Sequence, residues 1–258
     1  MSSSETQTAA NRFRFLAEAV AWRYRPQGFA VRQLVRQKLS QDPFYRGLFA
    51  AGHLPAEGLV LDVGCGRGVF LALVACAQSL GMAGGGKRGA DSRLVGIELR
   101  PEAAESARAA LGDKADIITG DARGETFPPC RAAIVQDVLI YLRPEEQDSL
   151  LERLAAALEE GGLLILREAD GGSFWRRTGI RLAGGLAGLL PGGKRERLHP
   201  RSGEEWKNRL ESLGLRAEKI PAGGGAGFGK ALLIAHKVCA PSGLACPPPG
   251  QTARTDTV

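Results

Sequence analysis

Short runs of apolar residues alternate along this chain with longer stretches in which apolar positions recur every three or four residues. The short runs have the length of buried strands, and the longer stretches have the spacing of amphipathic helices. Strands are predicted at 59–63, 93–99, 116–119, 132–136, 163–167, 215–220 and 231–237. Helices are predicted at 69–80, 102–111, 145–159 and 203–213. This alternation predicts an α/β fold with a doubly wound, seven-stranded, mostly parallel sheet.

Composition divides the chain into four segments: a flexible N-terminus (1–12), an N-terminal helical lid (13–54), the α/β domain (55–238) and a disordered tail (239–258). The lid has helical spacing that is broken at Pro26 and at Asp42-Pro43. The tail is rich in proline and lacks periodicity, so it has too little apolar surface to offset the entropy of ordering it.

The overall composition is that of a soluble globular protein, with 258 residues, 44% hydrophobic and 24% charged. The longest stretch without charged or strongly polar residues, 182–193, is far shorter than the roughly 20 residues of a membrane span. The N-terminal residues lack a signal-peptide pattern, so a cytoplasmic location is expected. Five widely spaced cysteines and three histidines predict neither disulfides nor a metal site.

The net charge of +6 is concentrated in two segments. Residues 1–40 carry a net charge of +5 and residues 171–210 carry +6, whereas the rest of the chain is net negative. Such segments are expected to border a surface that meets an anionic substrate, partner or membrane. Solvated basic helix faces are the alternative explanation.

The most informative motif is LVLDVGCGRGVF, an apolar strand that ends in an acid and continues into a glycine-rich turn at a predicted helix start. Glycines at 64, 66 and 68 allow a sharp turn and a close approach of a ligand to the backbone. A dinucleotide-binding G-x-G-x-x-G loop would require glycine or alanine where Val69 stands. The carboxylate of Asp62 would repel phosphates and attract an amino or sulfonium group, so the motif favours a cationic ligand.

From residue 59 to 237 the order of motifs resembles that of the class I S-adenosylmethionine-dependent methyltransferases. LVLDVGCGRG resembles their cofactor loop, VGIELRPEAAESAR their second motif and IITGDAR their third. AAIVQDVLIYL, a helix and LEEGGLLILRE resemble the fourth and fifth strands. The resemblance implies a Rossmann-like fold and S-adenosylmethionine as the cofactor.

It also implies which positions contact the cofactor. Expected along the methionine part are Asp62, Gly64, Cys65 and Gly66; at the ribose, Glu98 with its neighbour Leu99; at the adenine, Asp121 and Ala122; and beside the reacting end, Gln136 and Asp137. Each has a plainer alternative, since acids at strand ends are often surface residues and Cys65 could simply fill space beside the turn.

Methyl transfer from a sulfonium depends chiefly on alignment and exclusion of water, and a phenol or carboxylic acid acceptor needs at most a weak base. Candidate bases near the strand ends are Glu168, Asp170 and His199. Several relatives carry histidine where this chain has Ile140, which puts an acid–base role at that position in doubt. Candidate substrate residues are four aromatic side chains: Trp22, Tyr24, Tyr141 and Trp175.

In this superfamily the chain before the first strand and the segment after the fifth strand, here 169–202, usually form the substrate pocket. RYRP, READGGSFWR and RLHPRS resemble bacterial methyltransferases of polyketide or fatty-acid type pathways, such as those of aryl polyene pigments. This resemblance implies O-methylation of a small or carrier-bound metabolite, with an acidic carrier protein or an anionic membrane surface as a partner.

Two alternatives stay open at this stage. The pI of 9.3 suits a nucleic-acid methyltransferase or nucleic-acid-binding protein, although no N-P-P-Y-type tetrapeptide follows the fourth strand and nucleic acid is therefore not favoured. An NAD-dependent dehydrogenase is the other alternative, disfavoured by Val69 and Asp62.

Overall fold

A computed structural model describes residues 3–83, 92–172, 178, 197–220 and 229–238. The helices in these ranges are α1 (Ser3–Arg23), α2 (Phe29–Gln41), α3 (Pro43–Ala50), α4 (Val69–Ser79), α5 (Pro101–Leu111), α6 (Pro144–Ala157) and α7 (Gly203–Ser212). The strands are β1 (Gly58–Val63), β2 (Ser92–Glu98), β3 (Ala115–Thr119), β4 (Cys130–Gln136), β5 (Leu158–Ala169), β6 (Leu215–Ile220) and β7 (Lys230–Lys237).

The strands form one seven-stranded sheet in the order β3-β2-β1-β4-β5-β7-β6. Strands β1 to β5 are parallel, and β7 is antiparallel to both β5 and β6. The predicted doubly wound, mostly parallel sheet is thereby confirmed. The strand order reverses between β1 and β4, which opens a crevice at the carboxyl ends of the central strands, where ligands bind in such sheets.

Two apolar layers cover the two faces of the sheet. On one face, α1 to α5 pack over side chains such as Val60 and Ile134. On the other face, α6 and α7 pack over Leu61, Val63 and Leu166. Because successive side chains of a strand point to opposite faces, β1 contributes to both layers and is buried on both sides.

The N-terminal helices begin and end where local chemistry dictates. A 3₁₀ turn at Arg25–Gln27 contains Pro26, and the carboxylate of Asp42 accepts a hydrogen bond from the Phe44 N–H at the start of α3. The predicted breaks at Pro26 and Asp42-Pro43 are thus confirmed. Helix α1, however, already begins at Ser3, within the segment that was expected to be flexible.

Element ends differ most from the prediction between α6 and β5. Helix α6 ends at Ala157 rather than 159, and β5 begins at Leu158 rather than 163, because Leu158 already pairs with Cys130 across a register shift in β4. None of the described helices is long and apolar enough to cross a bilayer. The expected tail at 239–258 and most of the expected insertion at 169–202 lie outside the described residues.

Candidate functional site

The glycine loop after β1 is held against β2 by its own backbone. The N–H groups of Gly64 and Cys65 both donate to the Ile97 carbonyl, at 2.8 and 3.0 Å. Gly64 has φ +72°, and a Cβ there would lie 2.2 Å from a methyl carbon of Val138. The turn therefore needs glycine both for its left-handed backbone and for its close approach to the chain after β4.

Gly66, by contrast, faces open space. Its φ is +57°, and the only atom within 4 Å of an added Cβ would be a terminal nitrogen of Arg100, at 4.0 Å. The loop thus forms a cradle at the carboxyl end of β1, with exposed backbone where a flat or extended ligand can lie. This is the arrangement that the spacing of the glycines predicted.

Asp62 lies beside this cradle as a buried acid. Its side chain is only 2% exposed, and its carboxylate has no hydrogen-bond partner among the residues that the structure describes. Burial raises the pKa of Asp62 to about 7; the nearby Glu98 carboxylate acts in the same direction, while the Lys38 ammonium opposes both. An unbonded carboxylate in this position would gain substantially from a cationic ligand group.

Glu98, at the end of β2, is equally buried but fully bonded. One carboxylate oxygen accepts the Gly66 N–H at 2.8 Å, and the other accepts the backbone N–H and the Nε of Arg100, at 3.0 and 2.8 Å. Leu99 between them is 63% exposed. Glu98, the acid expected to bind the ribose, therefore also holds the glycine loop. The Arg100 side chain occupies one of its carboxylate oxygens and would compete with the ribose for it.

The loop after β3 carries the expected adenine contacts. The Asp121 carboxylate pairs with the Arg123 guanidinium at 2.6 Å, and this hydrogen-bonded pair holds the pKa of Asp121 below its usual range. The backbone around Ala122 is fixed by Arg153, whose guanidinium donates to the carbonyls of Ala122 and Glu125. The loop is thus ordered by two arginines, one at the surface and one partly buried.

At the end of β4 the chain adopts an unusual conformation. Asp137 has φ +54°, the one positive φ among the described non-glycine residues, and its carboxylate accepts two hydrogen bonds from the Lys230 ammonium, at 2.5 and 2.6 Å. The Tyr45 hydroxyl lies 3.4 Å from the Gln136 side-chain oxygen. The positive φ at Asp137 thus occurs together with an ion pair that joins the end of β4 to β7.

Two of the three predicted bases are bound to backbone N–H groups. Glu168 is 1% exposed and accepts from Val138 and Leu139, at 2.8 and 2.7 Å, which anchors the 3₁₀ turn at Leu139–Tyr141. Burial raises the pKa of Glu168 to about 8. Asp170 accepts from Gly172 and Gly203. In these positions both acids hold loops together.

The third predicted base, His199, lies next to the position where relatives were expected to carry histidine. Its backbone N–H donates to the Ile140 carbonyl at 2.8 Å, and its backbone carbonyl accepts from the Gln147 side chain. The sequence gives no hint of this pairing, because the two residues are far apart along the chain. The contact places the backbone of residue 199 beside the 3₁₀ turn after β4.

The four aromatic substrate candidates lie in different environments. Tyr24 is fully buried, and its hydroxyl donates to the Arg67 carbonyl at 2.7 Å, so it supports the glycine loop from behind. Tyr141 is 54% exposed at the end of the 3₁₀ turn, and Trp22 is 53% exposed on the outside of α1. Trp175 lies outside the described residues.

The chain before the first strand was expected to border the substrate pocket, but the charged groups by which α2 and α3 contribute were not singled out from the sequence. Lys38 lies near the carboxylates of Asp62 and Asp137, and burial lowers its pKa in spite of them. Arg167 of β5 makes a bidentate ion pair with Asp42, at 2.7 and 2.9 Å, which fastens the junction of α2 and α3 to the sheet. The one available signal was an arginine inside the apolar strand LLILRE.

With this geometry established, the chain can be compared with known proteins. Residues 60–162, from β1 to the start of β5, match the model of a family described as a methyltransferase domain. The glycine cradle, the second and third motifs and strands β2 to β4 lie within that match. Residues 60–162 are therefore similar to a methyltransferase domain over somewhat less than half of the chain.

Proteins similar to this chain include one of Chromohalobacter salexigens named carboxy-S-adenosyl-L-methionine synthase. It is 35% identical over 127 residues, which cover 47% of this chain and 44% of the relative. A protein of the same name from Psychrobacter arcticus is 31% identical over 114 residues, 42% of this chain and 40% of the relative. The chain thus spans less than half the length of the curated relatives it matches.

Among solved structures, magnesium protoporphyrin IX methyltransferase from Synechocystis with bound SAH is 22% identical, with a TM-score of 0.52. The alignment covers 83% of this chain and 93% of that one. At this identity the likeness shows the fold alone. The superfamily cofactor is S-adenosylmethionine, and two features of this site fit it: the open face over Gly66 and the unbonded buried carboxylate of Asp62.

Proposed function

We propose that the protein is a methyltransferase that binds S-adenosylmethionine over the glycine loop and positions an acceptor in the crevice beneath α2 and α3. The observation that carries this proposal is the buried Asp62 carboxylate beside the open face of Gly66. A buried carboxylate without a hydrogen-bonding partner among the described residues is stabilised by an ammonium or sulfonium ligand.

In this proposal, different residues of the chain bind different parts of the cofactor. Asp62 attracts the amino end of the cofactor, Glu98 accepts from the ribose hydroxyls, and the loop at Asp121 and Ala122 borders the adenine. Tyr24 holds the loop from behind through the Arg67 carbonyl. When bound, S-adenosylmethionine supplies a methyl group on a sulfonium centre.

The polar groups at the ends of β4 and β5 suit an acceptor that carries oxygen. His199 is the candidate base in this proposal, because Glu168 and Asp170 are bonded to backbone N–H groups. This supports O-methylation of a small or carrier-bound hydroxyl or carboxylic acid compound, rather than methylation of nucleic acid.

A second function is suggested by the names of the curated relatives, which are carboxy-S-adenosyl-L-methionine synthases. In that case the cofactor itself would be the compound modified. The cationic side chains near the crevice, Lys38, Arg167 and Lys230, would then offer positive charge to a carboxylate. The two candidate functions predict different products from the same cofactor.

Cofactor binding is tested first by thermal unfolding. A ligand bound only by the folded protein, at ~100 times its Kd, adds about 2.7 kcal/mol to the free energy of unfolding. For a domain of this size each kcal/mol raises Tm by roughly 2–4 °C. S-adenosylmethionine should therefore raise Tm by about 5–10 °C, and NAD should have no effect. A Tm shift with NAD alone would contradict the proposal.

The reaction is tested by mass spectrometry of the products. The enzyme is incubated with S-adenosylmethionine carrying a labelled methyl group, together with extracts or acylated carrier protein. Transfer of the label to a third compound, with release of S-adenosylhomocysteine, is expected. Conversion of the cofactor into a carboxylated derivative without label transfer would favour the second function instead.

A further inference from the structure

The outer face of the α1/α2 pair combines exposed aromatic rings with arginines. Three of the largest exposed apolar side chains of the described residues lie on it: Phe15, Trp22 and Phe29, at 59%, 53% and 77% exposure. Their helices bury a different set of side chains, including Leu16 and Val20 of α1, against the rest of the protein. The exposed rings are thus not part of the core.

Contacts between the two helices, together with helical spacing, indicate that these rings share one face, since Phe29 precedes Arg32 by three residues on α2. The Arg32 guanidinium of α2 lies 4.9 Å from the centre of the Trp22 ring, and Arg36 pairs with Glu18 at 2.6 Å. The helices are therefore antiparallel at this surface. Phe15, Glu18 and Trp22 are spaced three and four residues apart along α1, so they project from one side of it.

Arginines surround the rings. The Arg25 guanidinium lies 4.9 Å from the centre of the Trp22 ring, as Arg32 does, so the indole contacts two cations. Glu18 is the acid that shares this face with Arg25, Arg32 and Arg36, and it is already paired. We define the aromatic–arginine face by Phe15, Trp22, Arg25, Phe29 and Arg32.

We propose that the aromatic–arginine face binds the surface of an anionic phospholipid membrane. The side chains of this face are chemically complementary to the surface of such a membrane. Exposed aromatic rings gain from a medium that buries their apolar atoms, and aromatic side chains favour the interfacial region of bilayers. The guanidinium groups of Arg25 and Arg32 beside them gain from anionic headgroups. A membrane surface offers both environments within a few ångströms. The proposal does not depend on the proposed methyl transfer.

Vesicle sedimentation of the full chain tests the proposal. The protein should sediment with phosphatidylcholine vesicles that contain phosphatidylglycerol or phosphatidylserine, and at least about tenfold less with pure phosphatidylcholine. Binding should weaken as salt rises from about 50 to 500 mM, because screening shortens the reach of exposed charges to within about 10 Å or less.

Variants separate this face from the general basic charge of the chain. Phe15→Ser with Phe29→Ser, and Arg25→Glu with Arg32→Glu, should each reduce binding to anionic vesicles at least about tenfold. Val238→Ser and Arg216→Glu alter an exposed apolar side chain and an exposed cation at other places, and should leave binding within about twofold. Circular dichroism melts confirm that each variant is folded.

Several results would overturn the proposal. These are equal sedimentation with neutral and anionic vesicles, no sedimentation with either, or equal losses in the face variants and the controls. A fourth is lipid-free self-association, measured by analytical ultracentrifugation, that the Phe15→Ser/Phe29→Ser variant abolishes while vesicle binding stays unchanged. That result would assign the face to a second copy of this chain.

Discussion

Strands β1 and β2 run side by side, and each ends in a buried acid, but the two acids are held differently. Asp62 has no hydrogen-bonding partner among the described residues, and burial raises its pKa to about 7. Glu98 accepts hydrogen bonds from Gly66 and from the backbone and side chain of Arg100. The two buried acids therefore differ in what holds them: protein N–H groups hold the Glu98 carboxylate, whereas burial raises the pKa of Asp62.

The difference suggests that the two acids have different roles in ligand binding. Glu98 is preorganised, because its hydrogen bonds to the glycine loop and to Arg100 fix the position of its carboxylate before a ligand binds. Asp62 lacks such hydrogen bonds among the described residues, so a cationic ligand group would stabilise its charge. Three experiments probe this comparison.

The largest effect is expected from Glu98→Gln. The substitution removes the charge from an acceptor proposed to bind two ribose hydroxyls, and each charge-assisted hydrogen bond is worth roughly 1.5–3 kcal/mol. Cofactor affinity in calorimetry should fall between about tenfold and a hundredfold. Asp116→Asn, which neutralises an exposed acid at the start of β3, is the matched control. Unchanged affinity in Glu98→Gln would reject the ribose assignment.

The next effect is a pH dependence that comes from Asp62. If the cofactor's cation binds the ionised carboxylate, a pKa of about 7 makes affinity roughly tenfold tighter at pH 8 than at pH 6. The charged groups that face Asp62 are Lys38 and Glu98. Loss of the Lys38 proton would act in the same direction, since it removes a competing cation. Isothermal titration across this range measures the slope.

Asp62→Asn is the control for that slope, because an amide does not titrate. Its affinity should be weaker and nearly flat between pH 6 and 8. Stability should respond as well: in the wild type the folded state retains a proton on Asp62 that the unfolded chain loses near 3.8, so this residue lowers the free energy of unfolding as pH rises towards 7. A slope that persists in Asp62→Asn would assign it to another group.

The smallest effect is expected from Arg100→Ala. The Arg100 side chain is 69% exposed and pairs with the Glu98 oxygen that the ribose would need. Exposed ion pairs contribute at most about 1 kcal/mol, so removing this competitor should tighten cofactor binding by less than about fivefold. Weaker binding in Arg100→Ala would mean that the guanidinium contacts the ligand directly.

Much of the fold could be predicted from local patterns. The apolar runs in β1 and β4 are buried on both faces of the sheet, so their continuous hydrophobicity was visible in the sequence. Breaks at Pro26 and Asp42-Pro43 follow from the missing N–H and fixed φ of proline. The glycine loop was visible for a similar reason, because three glycines in five residues permit a backbone that side chains would block.

The sequence by itself determined the strands, the glycine cradle and the acids at the strand ends, because these depend on residues within a few positions of one another. The tertiary structure decided which residues from distant parts of the chain lie close to those acids and bond to them. The sequence predicts Glu168 and Asp170 as general bases, but packing brings the backbone N–H groups of Leu139 and Gly203 to them. Lys38 approaches Asp62 only because α2 docks on the sheet. The energy of a buried charge depends on every group packed around it, and those groups come from distant parts of the chain.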